Sequence, residues 1–232
     1  MYQNTLAIYL RNIFRRLGLL RYISYFLPKK SYELEFEQHI SDIIIDDDIV
    51  WDVGANIGFY TTRFAKLAHK GKVIAFEPSE INYEKLLENT IDVENIDSIK
   101  CALGSEVTEL FFEQGSDNIG ATSKIVNETK NSKIIKSVTG DDLIYSEHFS
   151  KPNIIKIDVE GYELEVIIGL SKFLKSGYAR AVFIEVHFAY LNEKYGRSGV
   201  QRLLEIIKNM NYDIKWIDSS HIQAVRKNVN KN

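Results

Sequence analysis

The run V-W-D-V-G-A-N-I-G-F-Y-T, Val50 to Thr61, constrains this chain more than any other segment. An apolar strand ends in it, a glycine-containing turn follows, and a helical pattern begins at once, which is the opening of a β-α unit. Gly54 lets the backbone turn tightly with any φ, and Gly58 admits close approach between a ligand, the turn and the helix. The spacing is D-x-G-x-x-x-G, and Asn56 stands where the second glycine of a G-x-G-x-x-G loop would admit a pyrophosphate. Phosphate cradling is therefore disfavoured, which argues against an NAD-dependent oxidoreductase on the same architecture. Twenty-five residues after Asp52, a second apolar strand ends at Glu77 in V-I-A-F-E-P, where a carboxylate can accept both hydrogen bonds of a ribose diol.

From residue 49 onward, short apolar runs alternate with helical stretches, so the expected fold class is α/β, doubly wound around a mainly parallel sheet. Strands are predicted at 49–53, 72–77, 98–103, 154–159 and 181–187, with helices at 58–69, from a Ser79 cap to about 89, at 163–175 and at 200–210. Residues 104–150 read as an irregular insertion containing strands at 108–113 and 134–138, placed to cover a pocket. Strands at 212–217 and 222–226 close the chain as an antiparallel pair.

A second constellation lies in K-P-N-I-I-K-I-D-V-E-G-Y-E-L-E-V, Lys151 to Val166, where charges interrupt what should be a buried strand. Period-two alternation puts Lys156, Asp158 and Glu160 on one side, and Phe183, Glu185 and His187 on one side of the next strand. Buried charge is costly unless paired, so Lys156 is expected to meet Glu185 or Asp158, and His187 to lie near Asp158 or Glu160. Glu160 and Glu163 read equally well as first-turn acids of the following helix. The other histidines, His39, His69, His148 and His221, stand without a convergent acidic motif and read as surface or satisfied structural residues.

Together the loop, the strand-end acid and the strand succession resemble a Rossmann-like S-adenosylmethionine-dependent methyltransferase. The second block, with N-I-G-A-T-S (Asn118 to Ser123), G-D-D-L-I (Gly140 to Ile144) and F-I-E-V-H (Phe183 to His187) in order, resembles more narrowly the FkbM family, over about residues 49 to 190. The resemblance implies Asp52, Gly54, Asn56 and Gly58 around the methionine part of S-adenosylmethionine and Glu77 on its ribose. It places Cys101, Ala102 and Leu103 beside the base, with Ala102 taken as the contact, and Asp158 beside the cofactor loop. It implies methyl transfer to a hydroxyl oxygen of a sugar, glycan or related small molecule, yielding S-adenosylhomocysteine, with Asp158 or His187 as the base. A nitrogen acceptor and a non-catalytic binding protein on this fold stay open. So does a divalent metal held by Asp158, Glu160 and His187, which spacing does not establish.

Composition bears on the ends of the chain. One cysteine, Cys101, excludes an internal disulfide framework and points to a reducing, cytoplasmic setting. Residues 1–30 carry six bases and no acid, while the remainder has 23 bases against 32 acids. With Leu6, Leu10, Ile13, Phe14, Leu17 and Leu20 on one face, this segment reads as a basic amphipathic helix, an extension over residues 1–48 ahead of a methyltransferase domain at 49–232. Its arginines interrupt the apolar run, so a membrane span is disfavoured. A helix packed on the domain is favoured over peripheral contact with an anionic membrane, and no nucleic-acid module accompanies the bases. Oligomeric state is not readable from the sequence.

Overall fold

A computed structural model describes residues 32–113, 124–126, 128–145 and 149–227. The basic amphipathic segment at 1–30, all of N-I-G-A-T-S and His148 lie outside the described residues. In chain order the elements are α1 (Tyr32–Ser41), β1 (Ile49–Val53), α2 (Phe59–Leu67), β2 (Lys72–Phe76), α3 (Glu80–Thr90), β3 (Ile96–Ile99), β4 (Ala102–Leu103), β5 (Thr108–Glu113), β6 (Lys124–Val126) and β7 (Lys133–Val138). There follow α4 (Gly140–Tyr145), β8 (Ile154–Ile157), α5 (Glu163–Gly169), α6 (Ser171–Ser176), β9 (Ala181–Glu185), α7 (Phe188–Tyr195), a 3-10 turn at Gly196–Ser198, α8 (Gly199–Asn209), β10 (Tyr212–Trp216) and β11 (His221–Arg226).

Seven strands form one sheet in the order β10-β11-β9-β8-β1-β2-β3. Pairing from β3 to β9 is parallel, and β11 runs antiparallel to both β9 and β10. The fold is thus the doubly wound, mainly parallel sheet with an antiparallel C-terminal pair that the apolar periodicity predicts. The chain progresses outward one way through β1, β2 and β3 and the other way through β8 and β9. The carboxyl edge between β1 and β8 is therefore the switch point where ligands bind in such sheets.

Trp51, Phe76, Ile155 and Ile157 from the strands and Leu164, Ile167, Leu203 and Ile207 from the helices build the larger core. On the other face, Phe36, Ile40 and Ile44 join Val50, Phe64 and Phe183, so α1 and the turn after it are packed into the body. Arg180 clamps that turn: its guanidinium donates to both Asp48 oxygens at 2.6 and 2.7 Å and to the Ile43 carbonyl at 3.1 Å.

Three expectations change. The single strand at 98–103 is two strands in different sheets, because Cys101 N–H closes a tight turn on the Ile99 carbonyl (3.1 Å) and steers Ala102–Leu103 onto β7. The helix at 163–175 breaks at Leu170. Gly169 lies so close to the Gly104 backbone that a Cβ there would sit 1.9 Å from its carbonyl oxygen, and Leu170 is fully buried. The insertion is not irregular: it forms a second sheet, β4-β7-β5-β6, that contributes Phe112 and Ile125 to the pocket wall. Among the described residues, no helix is long and apolar enough to cross a membrane.

Candidate functional site

The turn after β1 is built around backbone that only glycine accommodates well. Gly54 has φ +80°, and a Cβ there would lie 1.9 Å from the carbonyl oxygen of Asp158, so two main chains meet where a side chain would be. Gly54→Ala is expected to be destabilising beyond the ~1–3 kcal/mol of left-handed strain alone. A fall in Tm of about 6 °C or more in a thermal melt follows at this chain length, and a Tm within 2 °C of the parent would contradict it. Gly58, also left-handed at φ +90°, has Leu86 Cδ1 2.8 Å from its ideal Cβ position. Its role is close packing of the turn on α3, and it does not face the cavity.

Along the carboxyl edge, strand order sets residue order. Glu77 follows β2, Gly54 and Asn56 follow β1, Asp158 to Glu160 follow β8 and Glu185 ends β9. At about 4.8 Å per strand this row is roughly 14 Å across. These residues line one cavity of about 260 Å³, whose wall also includes Cys101, Ala102, Leu103, Asn82 and Tyr162. Of the residues singled out in the sequence, Gly54, Asn56, Glu77, Ala102 and Asp158 come together on that wall.

Asp52 does not. It is fully buried one layer beneath, accepting from the Thr61 hydroxyl at 2.6 Å and paired with Lys156 at 3.0 Å. The register of β1 on β8 sets Asp52 directly beside Lys156, which is why Asp52 precedes Asp158 (3.7 Å) as the partner of that ammonium. Lys156 also donates to the Gly54 carbonyl at 3.0 Å and lies 5.2 Å from the centre of the Tyr60 ring. Burial disfavours its charge, but Asp52 and Asp158 outweigh this and hold its pKa up.

Glu77 is buried, and each of its oxygens takes one backbone N–H, from Asn56 at 2.8 Å and from Ser79 at 2.9 Å. Those bonds aim the carboxylate and leave further lone pairs for a ligand. Burial nevertheless raises its pKa to about 7, against the pull of the two amides.

At the other end, β8 and β9 lie side by side with Ile157 opposite Ile184. His187 Nε2 faces Glu160 at 3.2 Å, Glu185 at 3.8 Å and Asp158 at 3.9 Å, and Nδ1 is held by Glu163 at 2.6 Å. Glu163 does start a helix, but its side chain is fully buried and also accepts the Gly161 N–H at 2.9 Å. Glu160 sits at φ +50°, an uncommon backbone for a glutamate and one found at functional sites. Burial opposes charge on His187, yet the flanking Glu160 and Glu163 raise its pKa well above 6.5, and both ring nitrogens are engaged. Burial and the neighbouring Glu185 raise Asp158, whose side chain stays 29% exposed towards the cavity. Burial would raise Glu185 too, but His221 and His187 override it and hold it low.

Sequence reading passed over Asn82 and Phe112 on the wall, and set His221 aside. β11 pairs with β9 so that His221 stands opposite Glu185; its Nε2 is 3.6 Å from that carboxylate and its Nδ1 2.7 Å from Asp218. The signal was the D-S-S-H turn opening a strand, which becomes informative only once that strand's neighbour is known.

Comparison with known proteins matches this arrangement to described relatives. The family description "Methyltransferase FkbM domain" fits residues 52–214. The hexuronic acid methyltransferase AglP of Haloferax volcanii is 34% identical over 160 residues, which are 67% of this chain and 64% of that protein. The chain thus spans just under two thirds of that relative's length. Among solved structures, methyltransferase FkbM from Methylobacillus flagellatus aligns with TM-score 0.54 at 18% identity, covering 78% of this chain and 44% of that one. Precorrin-6y C5,15-methyltransferase from Geobacter metallireducens aligns at 0.51 and 13% identity, covering 87% and 92%. These last two likenesses establish a shared fold.

Proposed function

Because the chain belongs to the FkbM methyltransferase family, we propose that it moves a methyl group from S-adenosylmethionine to a hydroxyl oxygen of a sugar, glycan or related small molecule. The observation that carries this reading is one cavity shared by Glu77, aimed by two backbone amides, and by a carboxylate wall of Asp158, Glu160 and Glu185. The residues present fit the cofactor. Glu77 retains acceptor capacity for a ribose diol, and the side-chain oxygens of Asn56 and Asn82 are buried with no hydrogen-bond partner among the described residues. Those orphaned acceptors suit the N–H groups of an amino acid and a base, and the acidic wall suits a sulfonium charge.

When bound, the cofactor supplies an electrophilic methyl carbon: its bond to sulfur breaks with the electron pair staying on sulfur, and the acceptor oxygen forms the new C–O bond. The chain's part is to hold that oxygen in line and to take its proton, which passes to the carboxylate wall. Asp158 faces the cavity, whereas His187 has both nitrogens occupied, so we assign Asp158 to the acceptor and His187 to holding the wall in place. The acceptor class follows the hexuronic acid methyltransferase relative.

The test is calorimetric titration with S-adenosylmethionine, followed by incubation with methyl-labelled cofactor and a panel of hexoses and uronic acids. Label in a sugar product supports the proposal, and a folded chain that binds no cofactor sinks it. The titration should also depend on pH. With its pKa at about 7, Glu77 is mostly protonated below that value and gives up acceptor capacity, so affinity rises with pH through 7. A gain of about tenfold between pH 6 and pH 8 is expected for one essential carboxylate. A flat profile over that range would separate Glu77 from the ribose.

A further inference from the structure

His187 is surrounded by more acceptors than it can serve. Its Nε2 can serve one partner, yet three carboxylate oxygens stand within 3.9 Å of that nitrogen. Four carboxylates in all, those of Asp158, Glu160, Glu163 and Glu185, share this one ring. Lys156 is held closest by Asp52 and the Gly54 carbonyl and reaches Asp158 only at 3.7 Å, and His221 is held closest by Asp218 and reaches Glu185 only at 3.6 Å. Such an excess of negative charge in a largely buried site calls for a cation.

The spacing is close to that of coordination. Two donor atoms on one cation with bonds of about 2.0–2.2 Å stand about 3 Å apart when cis and about 4 Å apart when trans. One ligand atom each from Asp158, Glu185 and His187 all lie within 4.8 Å of one another, so small side-chain movements gather them. Glu163 adds a separate observation. A fully buried carboxylate on Nδ1 is the partner that fixes a metal-binding imidazole, because it selects the Nδ1–H tautomer and turns the Nε2 lone pair towards the metal.

We propose that Asp158, Glu185 and His187 bind a divalent cation that accepts mixed oxygen and nitrogen ligands, such as Mn²⁺ or Zn²⁺, with Glu163 as the positioning residue. Asp158 and Glu185 also line the cavity, so the cation's open side faces the acceptor. That part rests on the reading as an oxygen methyltransferase. An acidic sugar set against this wall would be repelled, whereas a cation there ties its oxygens to the protein.

The experiment is a titration of the full chain, stripped with chelator, with Mn²⁺ read by electron paramagnetic resonance, with and without S-adenosylhomocysteine. One Mn²⁺ per chain is expected. His187→Ala and Glu185→Gln should each weaken binding at least tenfold, and Glu163→Gln 10- to 100-fold although it removes no ligand. Circular dichroism on each variant separates loss of the site from loss of the fold, and Glu185→Gln, at a partly exposed position, keeps the test available if His187→Ala does not fold. Failure of the folded parent to bind Mn²⁺ or Zn²⁺ at millimolar concentration overturns the site, as does binding that none of the three substitutions alters. Cofactor titration is a separate readout: cofactor binding without metal binding removes this proposal alone, and metal binding without cofactor binding removes the methyltransferase reading.

Discussion

Replacing Glu77 with alanine is expected to lower affinity for S-adenosylmethionine by at least about 100-fold. Two charge-assisted hydrogen bonds to a ribose diol contribute ~1.5–3 kcal/mol each, and each 1.4 kcal/mol is about tenfold in affinity. The substitution also strips the backbone N–H groups of Asn56 and Ser79 of their shared acceptor. The turn after β1 therefore loses a tether as well as a ligand contact. Glu77→Gln, which keeps one oxygen and the side-chain length, should fall between the two. Calorimetry on all three proteins checks the order, and an alanine variant that binds like the parent would refute the assignment.

The second large effect is at Asp158, where Asp158→Asn should reduce methyl transfer by about 10²–10⁴-fold, the range for removing a group that handles a proton in the transition state. Cofactor affinity should stay within about threefold, because the contact between this residue and the cofactor turn runs through its backbone carbonyl, which asparagine retains. Single-turnover rates with labelled cofactor, set beside equilibrium binding, separate the two quantities. Equal losses in both would mean that Asp158 belongs to the cofactor site and not to the acceptor.

How much of this was legible beforehand varies with how local the determining interaction is. The strands at 49–53 and 72–76 and the Ser79 cap, whose side chain accepts from Asn82 N–H, are written in consecutive residues and were readable from them. So was the adjacency of β8 and β9, and with it the meeting of Asp158, Glu160 and His187. Asp52 was assigned to the ligand because the motif places it next to the loop. Only the register between strands about 100 residues apart reveals that it faces Lys156 instead. Helix α7 escaped notice because its N-cap position is His187, whose side chain makes no capping hydrogen bond and which reads as the continuation of the apolar run before it. His221 joins Glu185 through an antiparallel pairing that no short pattern announces.

The second sheet has a consequence for how members of this family diversify. Its strands come from one contiguous stretch, residues 102–138, and among the described residues share no ladder with the seven-stranded sheet, yet Phe112 and Ile125 reach the cavity. Donor grip and acid wall are rooted in the main sheet, so this stretch works as an interchangeable faceplate. Exchanging residues 105–135 with those of a relative that uses another acceptor should move substrate preference while leaving cofactor recognition where it was.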